Sequence, residues 1–441
     1  MADTLGYFGD ARLEKGGAFL LARLHEYGMA GVSGARLGAG RAGQMRITRF
    51  LHNSSVRSSE MIQTAAGRTA TQVQGRHILA IQDTTTLRDD GDRRSLCLHP
   101  TIAMDADTGV LYGLVHAEYL RHAGGKRNGR KRRPFHSKES RRWLTSTRKA
   151  GALRLAGASQ VTVVADREGD IYEEFAQRPA HVELVIRAGQ DRRLTTGGLL
   201  FQTLATAPVL GRVNVTLPAH ANREERVATL EIRVCAVSLS CPNRPLNEKR
   251  KLPATVTVTA IEAREIKPPE GVEPAHWRLL TTHPVTTLAD AVRVVGYYRA
   301  RWTIEQVFRT MKTQGFQVEA VQVRDEDAFE NLAMAILIAA IRVMQMVAER
   351  DAAAARPLTD VFEPEDAPVL LALSARLEGK TDRQKNPHPV GSLGHAVWVI
   401  ARLGGWTGYY RKPGPVIIMR GWNRFNAIKF GWDTRENVRI P

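Results

Sequence analysis

The sequence predicts an α/β protein with helical regions at both ends, and three patterns along its 441 residues support this class. Residues 10–74 carry apolar side chains at helical spacing. Residues 77–175 alternate short apolar runs with helical segments, which is the pattern of an α/β layer. Residues 189–284 alternate polar and apolar side chains with a period of two, most clearly over 226–234 and 254–260, and so predict a mostly β insertion.

The α/β layer is predicted to contain three strands in a meander, then a helix, a buried strand and a second helix. These elements are expected at 77–83, 98–105, 109–119, 139–156, 161–166 and 170–175. Helical periodicity returns over 288–349. The apolar run 332–341 is shorter than the roughly 20 residues of a membrane span, so it predicts a buried core helix.

The charge of the chain indicates a polyanionic partner. Its 63 Lys and Arg outnumber its 45 Asp and Glu, which gives a formal net charge of +18. Nucleic acid is the leading candidate. A hydrophobic content of 43% supports folded cores and excludes a disordered basic tail. Ribosomal proteins are usually shorter, and a membrane-surface protein would need a basic amphipathic helix or a lipid anchor, so no membrane partner is expected.

The cysteines indicate a reducing compartment. Cys97, Cys235 and Cys241 form no CxxC pair, which argues against a disulfide scaffold and a structural zinc site. The first residues lack a basic segment followed by an apolar one, so no secretory signal is expected. Both observations favour a cytoplasmic location.

Two aspartates follow predicted strands of the α/β layer. Asp83 ends the apolar run ILAIQ, and Asp166 ends VTVVA. Open α/β sheets carry their functional groups at the carboxyl ends of strands. Either aspartate alone is equally explained as a turn or helix-cap residue.

A third carboxylate lies on the predicted helix over 296–312. At 100° per residue, one face carries the polar side chains and the opposite face carries Ile304, Val307 and Met311. The residues of the polar face are Tyr298, Arg301, Glu305, Arg309 and Lys312. A capping box of Thr303 with Gln306 would instead split this segment into two helices.

The three carboxylates together indicate a metal-dependent site on a basic chain. Three carboxylates can hold two divalent ions about 4 Å apart for phosphodiester chemistry, and oxygen ligands select Mg²⁺ or Mn²⁺ rather than zinc. The neighbouring cations would then hold the DNA backbone. The alternative for the helix is an exposed face with Arg–Glu pairs, which contribute little stability.

The spacing Tyr298-x2-Arg301-x3-Glu305-x6-Lys312 resembles the YREK signature of bacterial DDE transposases of the insertion-sequence-four type. Further segments resemble that family in the same order along the chain, and GDARLEKGG near the start does so more loosely. The matching segments are AIQDTTTL, HSKESRRW, ADREGDIYEEF, WRLLTTHPVTTLADAVRVVGYYRARWTIE and GSLGHAVWVIARLGGW.

The resemblance implies an RNase H-like catalytic core with an insertion. The implied domains are a helical end-binding domain, two parts of the core separated by the β-rich insertion, and a dimerisation domain. Their ranges are 1–74, 75–188 with 285–355, 189–284 and 356–441. By the same resemblance, Asp83, Asp166 and Glu305 are the ligands of two Mg²⁺ or Mn²⁺ ions.

The resemblance also implies DNA contacts. Trp277 matches an aromatic residue that receives a flipped base during hairpin formation, which stacking makes physically reasonable. Tyr298 and Arg301 match residues that hold the distorted end, and Arg187 matches another contact with a one-residue shift. Arg309 stands where relatives carry lysine, so the charge is kept with a different hydrogen-bond geometry. The alternative for Trp277 is a core aromatic on a β-strand.

A basic segment over 121–142 contains ten Lys or Arg residues, among them Arg130, Lys131, Arg132 and Arg133. It is expected to follow DNA phosphates, although a solvated surface segment has the same composition.

The function that these expectations imply is a homodimeric cut-and-paste transposase acting on the inverted ends of its own element and on target DNA. Such enzymes cleave each end, pass through a hairpin and join the 3′-hydroxyl ends to the target. The alternatives are a transposase-derived DNA-binding regulator that does not cleave, and an RNase H-like nuclease without strand transfer.

Overall fold

The fold is taken from a computed structural model. It describes residues 4–89, 95–122, 139–217, 225–243, 250–349, 356–409 and 412–437.

The first part of the chain is helical, as predicted. Its helices are α1 Ala11–Tyr27, α2 Gly34–Gly38, α3 Arg41–Leu51 and α4 Ser58–Thr71. Asp10 caps α1 by accepting a hydrogen bond from the backbone N–H of Arg12. The turn between α2 and α3 requires glycine, because a Cβ on Gly38 would lie 2.2 Å from the backbone nitrogen of Gln44.

The described strands form one mixed sheet. They are β1 His77–Gln82, β2 Thr85–Asp89, β3 Ser95–Asp105, β4 Leu111–His122, β5 Gln160–Ala165, β6 Val182–Arg187, β7 Val209–Leu217, β8 Arg226–Ser240, β9 Thr255–Glu265 and β10 His276–Thr281. Their order is β2-β3-β1-β5-β6-β10-β9-β8-β7, and β4 pairs with β3.

The centre of the sheet combines antiparallel and parallel strands. β3 runs antiparallel to β1 and β4, whereas β1, β5 and β6 are parallel neighbours. Ile81 of β1 pairs with Val164 of β5, so these two strands end side by side. This mixed arrangement is consistent with an RNase H-like DDE domain. The prediction missed β2, whose short segment TTLRD contains no apolar run.

The strands of the β-rich segment extend the central sheet. β10 is antiparallel to both β6 and β9, with Leu280 opposite Ile186 on one side and Ala260 on the other. β8 and β7 continue outwards from β9. The insertion expected over 189–284 is therefore continuous with the core through β10.

Four α-helices of the described residues lie between β4 and β7 along the chain. They are α5 Arg141–Ala150, α6 Ala152–Leu155, α7 Tyr172–Gln177 and α8 Leu200–Thr206. α5 packs against β1, β3, β4 and β5, and it also contacts α7. The single helix expected over 139–156 is thus two helices that meet at Gly151.

The segment with the third carboxylate contains two helices, α9 Leu288–Ala300 and α10 Trp302–Met311. The alternative of a split into two helices is confirmed, but the capping box at Thr303 is wrong as its cause, because α10 begins at Trp302 without a side-chain cap. Arg301 separates the helices but keeps helical backbone angles, with φ −52° and ψ −31°. The helical phase therefore continues from Tyr298 to Glu305.

The predicted core helix is confirmed as α11 Glu326–Glu349. Among the described helices it alone is long and apolar enough to cross a membrane, but 94% of its apolar window is buried inside the protein. It packs against α1, α3 and α4 from the start of the chain.

The last part of the chain contributes α12 Ala367–Leu377, α13 Leu393–Leu403 and α14 Pro415–Asn437. α14 packs against α13, α11 and α1. Trp422 of α14 stacks on His25 of α1, with ring centroids 3.8 Å apart. The helices from the two ends of the chain therefore share one packed region.

Candidate active site

Asp83 and Asp166 lie at one edge of the sheet. Asp83 follows β1 and Asp166 follows β5, and these strands are parallel neighbours whose ends are in register. The backbone N–H of Thr84 donates to Asp83 Oδ1 at 2.8 Å, and the N–H of Asp83 itself donates to the Pro100 carbonyl at 3.3 Å. The expectation that both aspartates lie at strand ends is confirmed.

Arg301 connects Asp83 to Glu305. It donates from Nη1 to Asp83 Oδ2 at 2.6 Å and from Nη2 to Glu305 Oε1 at 2.5 Å. Its side chain is only 12% exposed, so both ion pairs are largely shielded from water. The two carboxylates, separated widely in sequence, thus converge on one guanidinium group.

Tyr298 and Arg187 lie beside the second aspartate. The Tyr298 hydroxyl donates to Asp166 Oδ1 at 3.2 Å, and Arg187 Nη1 lies 3.9 Å from the same oxygen. The guanidinium carbon of Arg301 lies 5.8 Å from the centre of the Tyr298 ring. The two groups of contacts therefore form one continuous cluster at the ends of β1, β5 and β6.

The ionised form of Asp83 is disfavoured mainly by burial. Burial, with smaller contributions from the charges of Asp166 and Glu305, raises the pKa of Asp83 to about 6 against the opposing effects of Arg301 and the Thr84 N–H. Burial disfavours the charge of Arg301, but its pKa is still raised because Tyr298 and the three carboxylates favour the cation. The carboxylates therefore require a positive partner.

The chemistry of these ligands fits a hard divalent cation. Carboxylate oxygens suit Mg²⁺ or Mn²⁺. In the part of the chain that the structure describes, no three His, Cys, Asp or Glu side chains are gathered closely enough to form a ready metal site. Instead, the Arg301 guanidinium is the cation on which Asp83 and Glu305 converge.

Trp277 lies next to this cluster on β10. It pairs with Ala263 of β9, and its ring centroid is 6.4 Å from that of Tyr298. The indole is half-buried and packs against the core, so it is neither a fully buried core residue nor a free surface residue. Trp277 therefore lies beside Tyr298 at the edge of the cluster.

The other two cations of the helix make different contacts. The Arg309 guanidinium lies over the Trp302 ring at 4.9 Å, and Lys312 pairs with Glu319 at 2.7 Å. The helical wheel does not apply to Lys312, because α10 ends at Met311 and Lys312 has φ −102° and ψ −107°. The structure thus brings Tyr298, Arg301 and Glu305 to the aspartates, but shows no such contact for Arg309 or Lys312.

The four basic residues Arg130, Lys131, Arg132 and Arg133 lie outside the described residues.

Sequence reasoning missed two polar residues that contact the segments around the aspartates. Arg142 donates to Thr84, and His99 lies within hydrogen-bond distance of Thr84 and Gln82. Arg142 lies in the quoted segment HSKESRRW, which was a usable signal. His99 lies inside a predicted strand, where no pattern distinguishes it.

A family model described as a transposase DDE domain matches residues 70–342. This match covers more than half of the chain. It includes β1 to β10 and all three carboxylates of the cluster.

Proposed function

The chain belongs to the transposase DDE domain family, and from this premise we propose that it is a cut-and-paste DNA transposase of the insertion-sequence-four type, similar to the transposon-five transposase. Members of this family are transposases, which act on DNA and generally use divalent metal ions. The proposal adds that this chain acts as a homodimer in the bacterial cytoplasm on the inverted ends of its element.

One observation carries the proposal: Arg301 joins Asp83 to Glu305 while Tyr298 reaches Asp166. Tyr298 and Arg301 of the spaced signature therefore contact the two strand-end aspartates, and Glu305 joins them through Arg301. A surface helix stabilised only by local Arg–Glu pairs would not need these contacts with two distant strands. The cluster therefore favours a catalytic role over the alternative of an exposed ion-paired helix.

Asp83, Asp166 and Glu305 would hold two Mg²⁺ or Mn²⁺ ions. When bound, these ions supply activation of the attacking oxygen and stabilisation of the leaving oxygen. The three carboxylates would hold these ions at the carboxyl ends of β1 and β5, beside the bound phosphate. Arg301 and Arg187 bind phosphates beside it, because both guanidinium groups already lie against the carboxylate cluster.

The reaction begins with hydrolysis of one strand at each transposon end. Water forms a bond to phosphorus while the bond to the 3′ oxygen breaks, which leaves a 3′-hydroxyl on the element and a 5′-phosphate on the flank. That hydroxyl attacks a phosphodiester of the opposite strand, and the bond from phosphorus to the 3′ oxygen of the flank breaks, which forms a hairpin on the element and releases the flank with a 3′-hydroxyl. A second water attacks the hairpin phosphorus and displaces the element's 3′ oxygen, which leaves a 3′-hydroxyl and a 5′-phosphate on the element. The 3′-hydroxyl then attacks a phosphodiester of target DNA and displaces its 3′ oxygen. In the hairpin step Trp277 stacks on a flipped base, and Tyr298 holds the distorted backbone.

End binding is assigned to residues 1–74, and the exposed face of α3 supports this. Arg41, Met45, Thr48 and Arg49 are all exposed and recur at helical spacing. An α-helix fits the DNA major groove, and arginine is the commonest reader of guanine there. Arg309, Lys312 and the basic residues Arg130–Arg133 are proposed to add phosphate contacts along the end.

Dimerisation is assigned to residues 356–441. Phe430 of α14 is 74% exposed and Ile428 is 38% exposed. Large apolar side chains at the surface are typical of contact sites between proteins. These residues support an interface at the end of α14.

The test uses a plasmid that carries the element between its own inverted ends, incubated with the protein and Mg²⁺. A transposase releases the element and inserts it into a target plasmid. A nuclease without strand transfer produces cut ends and no insertions, and a regulator binds the ends without cutting. The Asp83→Ala protein must bind the ends and cut neither strand; cutting by this variant would contradict the catalytic assignment.

A further inference from the structure

Arg142 links the segments that follow the two aspartates. Its Nε donates to the Thr84 hydroxyl at 3.1 Å, and its Nη2 donates to Glu168 at 2.6 Å. Thr84 directly follows Asp83, and Glu168 lies two residues after Asp166. The Arg142 side chain is 10% exposed and its bond to Thr84 is partly buried, whereas Glu168 is 69% exposed, so the bond to Glu168 lies at the surface. One side chain from α5 therefore ties together the two loops that carry the aspartates.

A buried chain of hydrogen bonds extends from Thr84 to α7. The Thr84 hydroxyl lies 2.9 Å from His99 Nδ1, and His99 Nε2 lies 3.2 Å from Gln82 Oε1. The Gln82 amide donates to Glu174 Oε1 at 3.4 Å and to Thr147 at 3.3 Å. Residues on both sides of Asp83, namely Gln82 and Thr84, are thus anchored in the interior.

The hydrogen bonds of this chain have one consistent direction. Burial, together with the charge of Arg142, holds the pKa of His99 well below its usual value, so the ring is neutral. Because Gln82 Oε1 can only accept, His99 carries its proton on Nε2 and accepts at Nδ1 from the Thr84 hydroxyl. That hydroxyl then accepts from Arg142 Nε. Thr84 is the link between the arginine and the histidine.

His99 and Arg142 are also fixed by packing. His99 has no exposed surface, and its ring meets Trp143 edge to face with centroids 4.6 Å apart. Trp143 directly follows Arg142 on α5, which itself packs against β1, β3 and β5. The chain of hydrogen bonds therefore rests on rigid elements, which is the arrangement needed to hold a site to within fractions of an ångström.

We propose that Arg142 and His99 are positioning residues that hold Asp83 and Asp166 at the separation needed to bind divalent cations. The inference rests on the proposed function, because it takes both aspartates as metal ligands. Changes to residues that orient metal ligands typically weaken metal affinity by 10–100-fold. Arg142 acts through Thr84 and Glu168, while His99 fixes Thr84 and Gln82.

The sign of the effect separates positioning from simple electrostatics. Arg142 is a cation close to the aspartates, so a purely electrostatic role predicts that its removal strengthens the binding of another cation. A positioning role predicts the opposite, since the two loops are no longer tied together. Removing Arg142 therefore weakens cation binding if the residue positions the loops, and strengthens it if only its charge matters.

The experiment measures the binding of Mn²⁺ alone to the full chain, from the electron paramagnetic resonance signal of free Mn²⁺. Arg142→Met is expected to weaken binding by about tenfold. The control Arg148→Met removes a cation from the same helix, where Arg148 is exposed and contacts Gln177, and is expected to bind Mn²⁺ like the wild type. Unchanged or tighter binding by Arg142→Met would overturn the proposal.

A second pair of variants decides the question if Arg142→Met does not fold. Thr84→Val removes the hydroxyl that joins Arg142 to His99, whereas Thr84→Ser keeps it. We expect the valine variant to lose affinity for Mn²⁺ and the serine variant to retain it; equal affinities would overturn the proposal.

Asp83→Asn separates this inference from the proposed function. If it binds Mn²⁺ as the wild type does, the ligand assignment itself fails. If Asp83→Asn loses Mn²⁺ binding while Thr84→Val binds Mn²⁺ as the wild type does, the ligand assignment stands and the positioning inference is overturned.

Discussion

The guanidinium of Arg301 donates a hydrogen bond to Asp83 Oδ2 at 2.6 Å across 218 positions of sequence. The same group pairs with Glu305, four residues further along the chain. Two of the three proposed metal ligands thus share one cation that the protein itself supplies. Metal binding at these carboxylates must therefore compete with Arg301.

Replacing Arg301 by methionine is expected to strengthen Mn²⁺ binding while weakening DNA cleavage. The first effect follows from removing a competing positive charge, whose repulsion at about 4 Å amounts to several kcal/mol at an effective dielectric constant near 20 before solvation is counted. The second follows because Arg301 is proposed to bind a phosphate. Mn²⁺ titration and cleavage of labelled end DNA measure the two effects. Arg293→Met, which removes an exposed cation from α9, is the control. Weaker Mn²⁺ binding by Arg301→Met would contradict this account.

Trp277→Ala is expected to leave the first nick intact and to reduce hairpin formation. The indole lies beside Tyr298 and is half-buried, so it can stack on a base that leaves the duplex. Base–aromatic stacking is worth about 1–3 kcal/mol, which corresponds to a loss of roughly 5- to 150-fold in hairpin rate. Denaturing gels of a labelled transposon end resolve both products. An equal loss of nicking and hairpin formation would assign Trp277 a structural role.

Glu174 is expected to make stability depend on pH. Burial raises its pKa to about 7, against the opposing effects of hydrogen bonds from Thr147 and Gln82 and the charge of Arg148. Its folded pKa lies above its usual 4.5, so its protonated form contributes stability that is fully present below pH 4.5 and is lost as the pH rises through 7. The free energy of unfolding is expected to fall by roughly 3 kcal/mol between these two limits.

The measurement compares the thermal midpoints of the wild type and Glu174→Gln at pH 5 and pH 8. The glutamine side chain is neutral at both pH values. The thermal midpoint of the variant should therefore rise relative to that of the wild type between pH 5 and pH 8. Comparing the two proteins cancels the contribution of Glu349, whose pKa burial also raises to about 7. A constant difference between the two proteins would show that Glu174 does not titrate in this range.

The basic segment is tested through the salt dependence of DNA binding. Replacing Arg130, Lys131, Arg132 and Arg133 by glutamine should weaken end binding and flatten the plot of log K against log salt. Each lost phosphate contact removes about 0.9 from the slope. The matched control replaces four exposed cations elsewhere, Arg376, Lys380, Arg383 and Lys385. An unchanged slope for the first variant would assign the segment to solvent.

The sequence predicted the parts of the site that depend on local patterns. Asp83 and Asp166 end apolar runs, and adjacent parallel strands bring such ends together. Arg301 and Glu305 are four residues apart, which places them on one helical face. Helical periodicity over 288–349 also predicted α11, and its burial confirms the core helix expected from the apolar run 332–341.

Contacts between distant segments could not be predicted in the same way. Nothing local in the sequence shows that Arg142 reaches Thr84 and Glu168, because that contact depends on how α5 packs across the sheet. Lys312 shows a different limit, since the helical wheel assumes a helix that continues, and α10 stops one residue earlier. Periodicity therefore predicted elements and faces, but not where a helix ends or which distant loop it meets.

Asp83, Asp166 and Glu305 are proposed to bind the metal ions that cleave transposon DNA. Cleavage of a labelled end by Asp166→Cys, in Mg²⁺ and in Mn²⁺, tests this assignment most directly. A thiolate is a poor ligand for Mg²⁺ and a better one for the softer Mn²⁺. If Asp166 is a metal ligand, the variant is expected to show no cleavage in Mg²⁺ and partial recovery in Mn²⁺. Wild-type cleavage by this variant in Mg²⁺ would contradict the assignment.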